Sequence, residues 1–356
     1  QRWVIDQHRR NSHTDIPTLM LKKTGFNFIS VPDKAEVMRV LTQIRPPASL
    51  FYSAETSFAV DVKSAFPEMD VLIRFWPDED VHTRFSPQEW ITMHAAESRR
   101  GLTLYTNNES GLSDAVIGWN LEVAHKAVEF SRKIVCLNPA AGTYDQADMA
   151  RLRPLFELAG LHPDIITIGL HAYAGGAIIS GMFRPEDLDK RINPLMWPTR
   201  AEIDKLFPFH IGRQRMISDY CRTPSVNIKV PRMVYTETGF DRTGDIAGWL
   251  DKLTVAPNYK GIDGWKSLKD QWRSWWPEWT PEMAFIKQFQ YAETNLMRDI
   301  AYALFYCYGN DGDPRWQPFR VDNTNIVTYM EGQPQIPDVA PEPVVTPPVV
   351  IESPVV

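Results

Sequence analysis

Residues 102–138 read LTLYTNNESGLSDAVIGWNLEVAHKAVEFSRKIVCLN. The segment opens on the apolar run LTLYTN (102–107) and closes on another, KIVCLN (133–138). Both are short, rich in Leu, Ile, Val and Tyr, and nearly continuous rather than alternating, as strands buried on both faces should be. Between them Ser113 followed by Asp114 supplies an N-cap and an acidic first turn. Behind that cap Val116, Trp119, Val123, Ala127 and Phe130 recur at spacings of three and four, which places them on one helix face. The unit is strand, helix, strand.

The same alternation runs outward in both directions. Upstream lie GFNFISV (25–31), SLFYSA (49–54) and DVLIRFW (70–76). Downstream lie IITIGLHAY (165–173), RMVYTE (232–237) and IAYALFYCY (300–308). Helix signals fall between the runs. Ser86-Pro87-Gln88-Glu89 starts a helix with Pro at its first position, followed by Ile91 and Met93. Pro281-Glu282 opens another before Phe285, Ile286 and Phe289. Eight strand–helix repeats predict an α/β fold of the (β/α)8 TIM-barrel type. A doubly wound open sheet is the competing architecture, but no G-x-G-x-x-G follows any of the eight runs. The organisation expected is an N-terminal extension over 1–24, a barrel over 25–325 and a Pro-rich linker or tail over 326–356. The tail carries seven prolines and no Lys or Arg from Pro334 onward, which excludes helix and sheet interior and leaves an extended spacer, with a further domain as its expected neighbour. Long connections over 174–197 and 241–280 leave the C-terminal ends of strands six and seven, where barrel enzymes build their binding walls.

Composition narrows the function. Of 356 residues, 44% are apolar and 23% charged, which excludes wholesale disorder. The formal charge of −6 argues against a nucleic-acid footprint, and no apolar stretch is long enough to span a membrane. Cys136, Cys221 and Cys307 are too few and too scattered for a disulfide framework or a zinc site and read as buried thiols. The chain starts at Gln1, which leads to the expectation of a processed or trimmed product. Twelve Trp residues suit flat binding walls for sugars as well as cores.

The strand tips carry the chemistry. Strand four ends Thr106-Asn107-Asn108-Glu109 and strand seven ends Thr236-Glu237. These strands face each other across an eight-membered ring, so both carboxylates are expected in the mouth, at the separation of about 5–5.5 Å that retaining glycosidases use. Arg74 lies on strand three among Ile73, Phe75 and Trp76, and a charge there needs a partner; Glu237 is the functional candidate. Trp76, and Trp275 and Trp276 in the seventh loop, are candidate sugar platforms. The acidic loop of Asp78, Glu79, Asp80 and His82 admits a metal site only as the weaker reading, and no metal or cofactor is expected.

On these residues the chain resembles the clan A glycoside hydrolases. The resemblance implies a retaining (β/α)8 enzyme with Asn108-Glu109 as the Asn–acid/base pair after strand four and Glu237 as the nucleophile after strand seven. Asn108 would hold the sugar 2-hydroxyl, and His171 and Tyr173 in GLHAY would line the cleft beside the nucleophile. Many members end strand eight with a Trp beneath the sugar; here Phe305, Tyr306, Cys307 and Tyr308 stand there, so Tyr306 becomes the candidate contact. The expected partner is a poly- or oligosaccharide, and the expected location is extracellular or particle-associated. Glu109 is expected to have its pKa raised by the neighbouring negative charge. The alternative is a catalytically silent carbohydrate-binding barrel within a larger cell-surface or particle-associated protein. An aldolase is disfavoured because none of the eight strand tips carries a Lys.

Overall fold

The computed structural model describes residues 23–140, 143–173, 214–239 and 299–309, with single residues inside 282–293 and 320–328. Eight parallel strands close into a barrel in sequence order, β1 to β8, and the last strand pairs back onto the first. The strands are β1 (Thr24–Phe28), β2 (Ala48–Tyr52), β3 (Asp70–Arg74), β4 (Thr103–Tyr105), β5 (Ile134–Leu137), β6 (Ile166–Tyr173), β7 (Met233–Gly239) and β8 (Ile300–Tyr308). This is the (β/α)8 architecture that the eight apolar runs predict.

Burial explains why the runs are apolar throughout. Alternate side chains point into the barrel or out toward the helices. The lumen is filled by Ala48, Leu50, Leu72, Tyr105, Val135, Val234, Tyr302 and Leu304. The outward set, including Phe26, Phe28, Phe51, Ile73 and Ile134, merges with the apolar helix faces into a single larger core. Neither face meets water, so no polar alternation is possible. The core also takes in Ile326 and Val327, just past the position where the sequence starts the tail.

Eight helices are described: α1 (Lys34–Ile44), α2 (Thr56–Ala65), α3 (Val81–Arg84), α4 (Pro87–Met93), α5 (Ala95–Arg99), α6 (Asp114–Glu129), α7 (Asp148–Leu161) and α8 (Arg215–Arg222). Ser113 caps α6 by accepting from the Val116 N–H at 3.3 Å. Val116, Trp119, Val123 and Ala127 are buried as their spacing requires. Phe130 departs from that face: it follows the last turn as the C-cap and is 39% exposed. On α4, Ile91 is buried but Met93 is not; Trp90 takes the second buried position instead. Helical backbone is also present at Glu282, with Phe285 and Phe289 packed on Phe305. The expected long loops over 174–197 and 241–280, residues 1–22 of the expected extension over 1–24 and residues 329–356 of the expected tail over 326–356 lie outside the described residues.

All three cysteines are buried. Burial pushes the Cys136 thiol up to about 12 and the Cys221 thiol up to about 11. Among the described residues no helix is long and apolar enough to cross a membrane.

The start of α4 offers a direct check on local structure. Ser86 Oγ accepts from the Glu89 N–H at 3.3 Å, and the Glu89 carboxylate accepts from the Ser86 N–H at 2.8 Å, a complete capping box. Ser86→Ala removes half of it and is expected to destabilise the protein by about 1 kcal/mol in urea unfolding.

Candidate active site at the mouth of the barrel

Arg74 ends β3 with its side chain inside the barrel, 4% exposed. A buried guanidinium demands acceptors, and the surrounding tips supply them. Nε donates to Asp78 Oδ2 at 2.9 Å and Nη2 donates to Asp78 Oδ1 at 3.2 Å. Nη1 donates to Glu237 Oε1 at 2.8 Å and to the Tyr52 hydroxyl at 2.8 Å. The register explains the meeting: Tyr52 pairs with Arg74 and Arg74 with Tyr105, so all three stand at one level of the barrel. The guanidinium also sits 4.8 Å from the Tyr52 ring centroid, 5.5 Å from Trp76 and 5.6 Å from Tyr105. Burial drives the Asp78 carboxyl up to about 6 against the pull of Arg74. Asp78 is thus a buried ion partner, and its neighbours Glu79 and Asp80 do not share that role.

Glu237 on β7 is held from both sides. Besides Arg74 on Oε1, the Tyr173 hydroxyl donates to Oε2 at 2.7 Å. The Glu237 side chain is 9% exposed, whereas that of Glu109 is 43% exposed. The Glu109 backbone has φ 49°, and its N–H donates to the Asn138 carbonyl at 3.0 Å.

His171 joins the two carboxylates. Nδ1 lies 3.0 Å from Glu109 Oε1 and 3.7 Å from Glu237 Oε2. Nε2 lies 3.2 Å from the Tyr105 hydroxyl, which donates to Asn108 Oδ1 at 2.6 Å. With its proton used on Asn108, Tyr105 accepts from Nε2, and Nδ1 donates to Glu109. The pattern is satisfied when both ring nitrogens carry protons. Burial opposes that charge, but Glu237 and Glu109 outweigh it and raise the His171 pKa above its ordinary value. The hydrogen bond from His171 in turn lowers Glu109 below the usual carboxylate range. This corrects the expectation that negative charge nearby would raise Glu109: the nearest group is a donor imidazole, and the second carboxylate is already paired with Arg74.

One carboxylate oxygen each from Glu109 and Glu237, with a His171 nitrogen, lie within 4.8 Å of one another. Such a triad has the donor types of a divalent metal site. Its charges do not favour one: the Arg74 cation already occupies a Glu237 oxygen, and the imidazole is used as a donor. The geometry suits proton transfer between carboxylate, imidazole and an incoming oxygen.

Of the other residues that the sequence singles out, Trp76 is 58% exposed on the rim beside Arg74, and Asn108 is buried under Tyr105. Tyr306 is buried edge-on to Tyr173 with ring centroids 6.3 Å apart. Trp275 and Trp276 lie outside the described residues. Tyr52, Tyr105 and Asn138 are contributors that the sequence reading passed over, and Asp78 was read there only as one acid of a loop. The signal for Asp78 was present, since a buried Arg74 needs a carboxylate and Asp78 follows four positions later. No protein-family model and no curated protein matches the chain.

Two outcomes follow from these charges. Asp78→Ala leaves the Arg74 cation short of a buried partner and is expected to cost about 3–5 kcal/mol in urea unfolding. For the His171–Glu109 pair, His171 has a folded pKa above its unfolded value of about 6.5, so its contribution is complete below that value and is lost as pH rises through the folded pKa. Glu109 is depressed below about 4.3, so its contribution is complete above that value and is lost as pH falls through the folded pKa. The stability difference between wild type and Glu109→Gln is therefore expected to peak at about pH 4.3–6.5 and to shrink on either side, as read by thermal melts across pH.

Proposed function

We propose that the chain is a retaining glycoside hydrolase, similar to clan A, acting on a poly- or oligosaccharide outside the cell or on a particle. The observation that carries the reading is the approach of Glu109 and Glu237 to within 4.8 Å with His171 between them. A separation near 5 Å suits double displacement, because it leaves no room for water between the second carboxylate and the anomeric carbon.

Glu237 is the nucleophile. Arg74 and Tyr173 hold it oriented, and its low exposure leaves little water to compete. Glu109 is the acid/base, and its greater exposure sets it where a leaving group must pass. In the free protein Glu109 is ionised and His171 holds the proton. A glycosidic oxygen arriving over Glu109 displaces water and raises the carboxylate's demand for that proton. The proton passes from His171 Nδ1 to Glu109 and on to the leaving oxygen as Glu237 Oε2 or Oε1 bonds to the anomeric carbon. In the second half Glu109 takes a proton from water, the hydroxide attacks the same carbon, Glu237 leaves as carboxylate, and the proton returns to His171. Asn108 is positioned beside Glu109 for the sugar 2-hydroxyl, and Trp76 offers an exposed ring for a pyranose face.

The test is turnover on a panel of polysaccharides and aryl glycosides, with product configuration followed by NMR. Glu237→Ala and Glu109→Ala are each expected to abolish turnover, and azide is expected to rescue Glu237→Ala in part, giving an inverted glycosyl azide. Full activity in Glu237→Ala would overturn the assignment. Wild-type protein that binds a glycan tightly and never cleaves it would favour the silent carbohydrate-binding barrel instead.

A further inference from the structure

Asn138 sits at the tip of β5, fully buried and without a place in the chemistry just described. Its side chain spans the barrel between the two strands that carry the carboxylates. Nδ2 donates to the Asn107 carbonyl at 2.9 Å, two residues before Glu109. Oδ1 accepts from Thr236 Oγ1 at 2.9 Å, one residue before Glu237. Its own carbonyl accepts the Glu109 N–H at 3.0 Å. One residue therefore touches the backbone beneath one carboxylate twice and the strand beneath the other once.

The surroundings hold Asn138 in place. Its N–H donates to the Gly169 carbonyl at 3.1 Å. Asn107 answers with Nδ2 to the Leu137 carbonyl at 3.1 Å, and Asn120 Oδ1 accepts the Leu137 N–H at 3.0 Å. Glu109, Leu137 and Asn138 all have left-handed backbones, at φ 49°, 78° and 39°. Non-glycine residues persist there only where neighbours over-determine them. Gly169 on β6 is what admits the amide: a Cβ there would meet Asn138 Oδ1 at 1.8 Å. The three features have one outcome, a polar crosslink beneath the mouth with no slack.

We infer that Asn138 is a positioning residue whose amide sets the separation of the Glu109 and Glu237 carboxylates. The role in catalysis rests on the glycosidase reading; the spacing itself does not. The amide ties the β4 tip to the β7 tip across β5 and β6, so removing it frees each carboxylate-bearing tip from the other. A misplacement of about 1 Å at such a pair costs on the order of 10²-fold in rate.

The experiment uses the full chain and two variants, Asn138→Ala and Thr236→Val. The second removes only the hydroxyl that binds Oδ1 and nearly preserves shape, so it serves where the first does not fold. The first readout is the His171 ring, titrated by ¹⁵N NMR, because its position between both carboxylates makes it a gauge of their approach. The expected result is a His171 titration moved down toward the ordinary imidazole value in both folded variants. The second readout is steady-state kinetics on whichever glycoside the wild type cleaves, with kcat lowered by about 10²-fold and KM little changed. Folded variants that keep the wild-type His171 titration would overturn the inference and leave Asn138 as a stabilising contact only. A wild type that cleaves no glycoside would defeat the preceding reading, while the titration would still decide the role of Asn138.

Discussion

The positive charge of Arg74 is placed where little water reaches, and the site is arranged around that fact. An isolated buried cation is prohibitively costly, so it must be surrounded by groups that accept its hydrogen bonds and balance its charge. Asp78 takes one edge of the guanidinium, Glu237 and Tyr52 share another, and three aromatic rings stand close by. The constraint works in both directions. Arg74 sits in the barrel because Glu237 and Asp78 are beside it, and Glu237, at 9% exposure, in turn has the guanidinium as its partner.

The second carboxylate is handled differently. Glu109 faces outward, and a neutralising partner comes from an imidazole rather than from a guanidinium. An arginine does not release a proton at any pH a protein survives, whereas a histidine does so readily. One acid is therefore paired with a fixed cation, and the other with a group that can exchange its proton.

The barrel was legible in the sequence because its cause is legible. A strand buried on both faces must be apolar throughout, and eight such runs stand along the chain with helical stretches or longer connections between them. Glu109 and Glu237 were legible because each stands where a strand run ends, on the rim where a barrel carries its chemistry. Arg74 stood out because a charge among apolar strand residues needs a partner. What escaped reading has an equally plain cause. Tyr105 looks like any aromatic on a strand; only its register beside Arg74 reveals that its hydroxyl faces the site. Asp78 looks like one of several acids in a loop until a guanidinium is found against it. Asn138 looks like a turn residue, and its partners at Asn107 and Thr236 are far away along the chain. Phe130 and Met93 were misplaced because helical periodicity does not say where the last turn ends. Contacts at long range and chain endings are set by the closed barrel, not by any local pattern.

The three thiols have a consequence of their own. Cys136, Cys221 and Cys307 are buried, and burial holds the first two in the protonated form. Thiolate is the reactive species, so an intact molecule offers an alkylating reagent almost nothing to attack. Labelling would proceed only through openings of the barrel wall. Cys136 on β5 and Cys307 on β8 stand on separate staves, and the rates at which they are modified would time the breathing of two parts of the cylinder without any introduced probe.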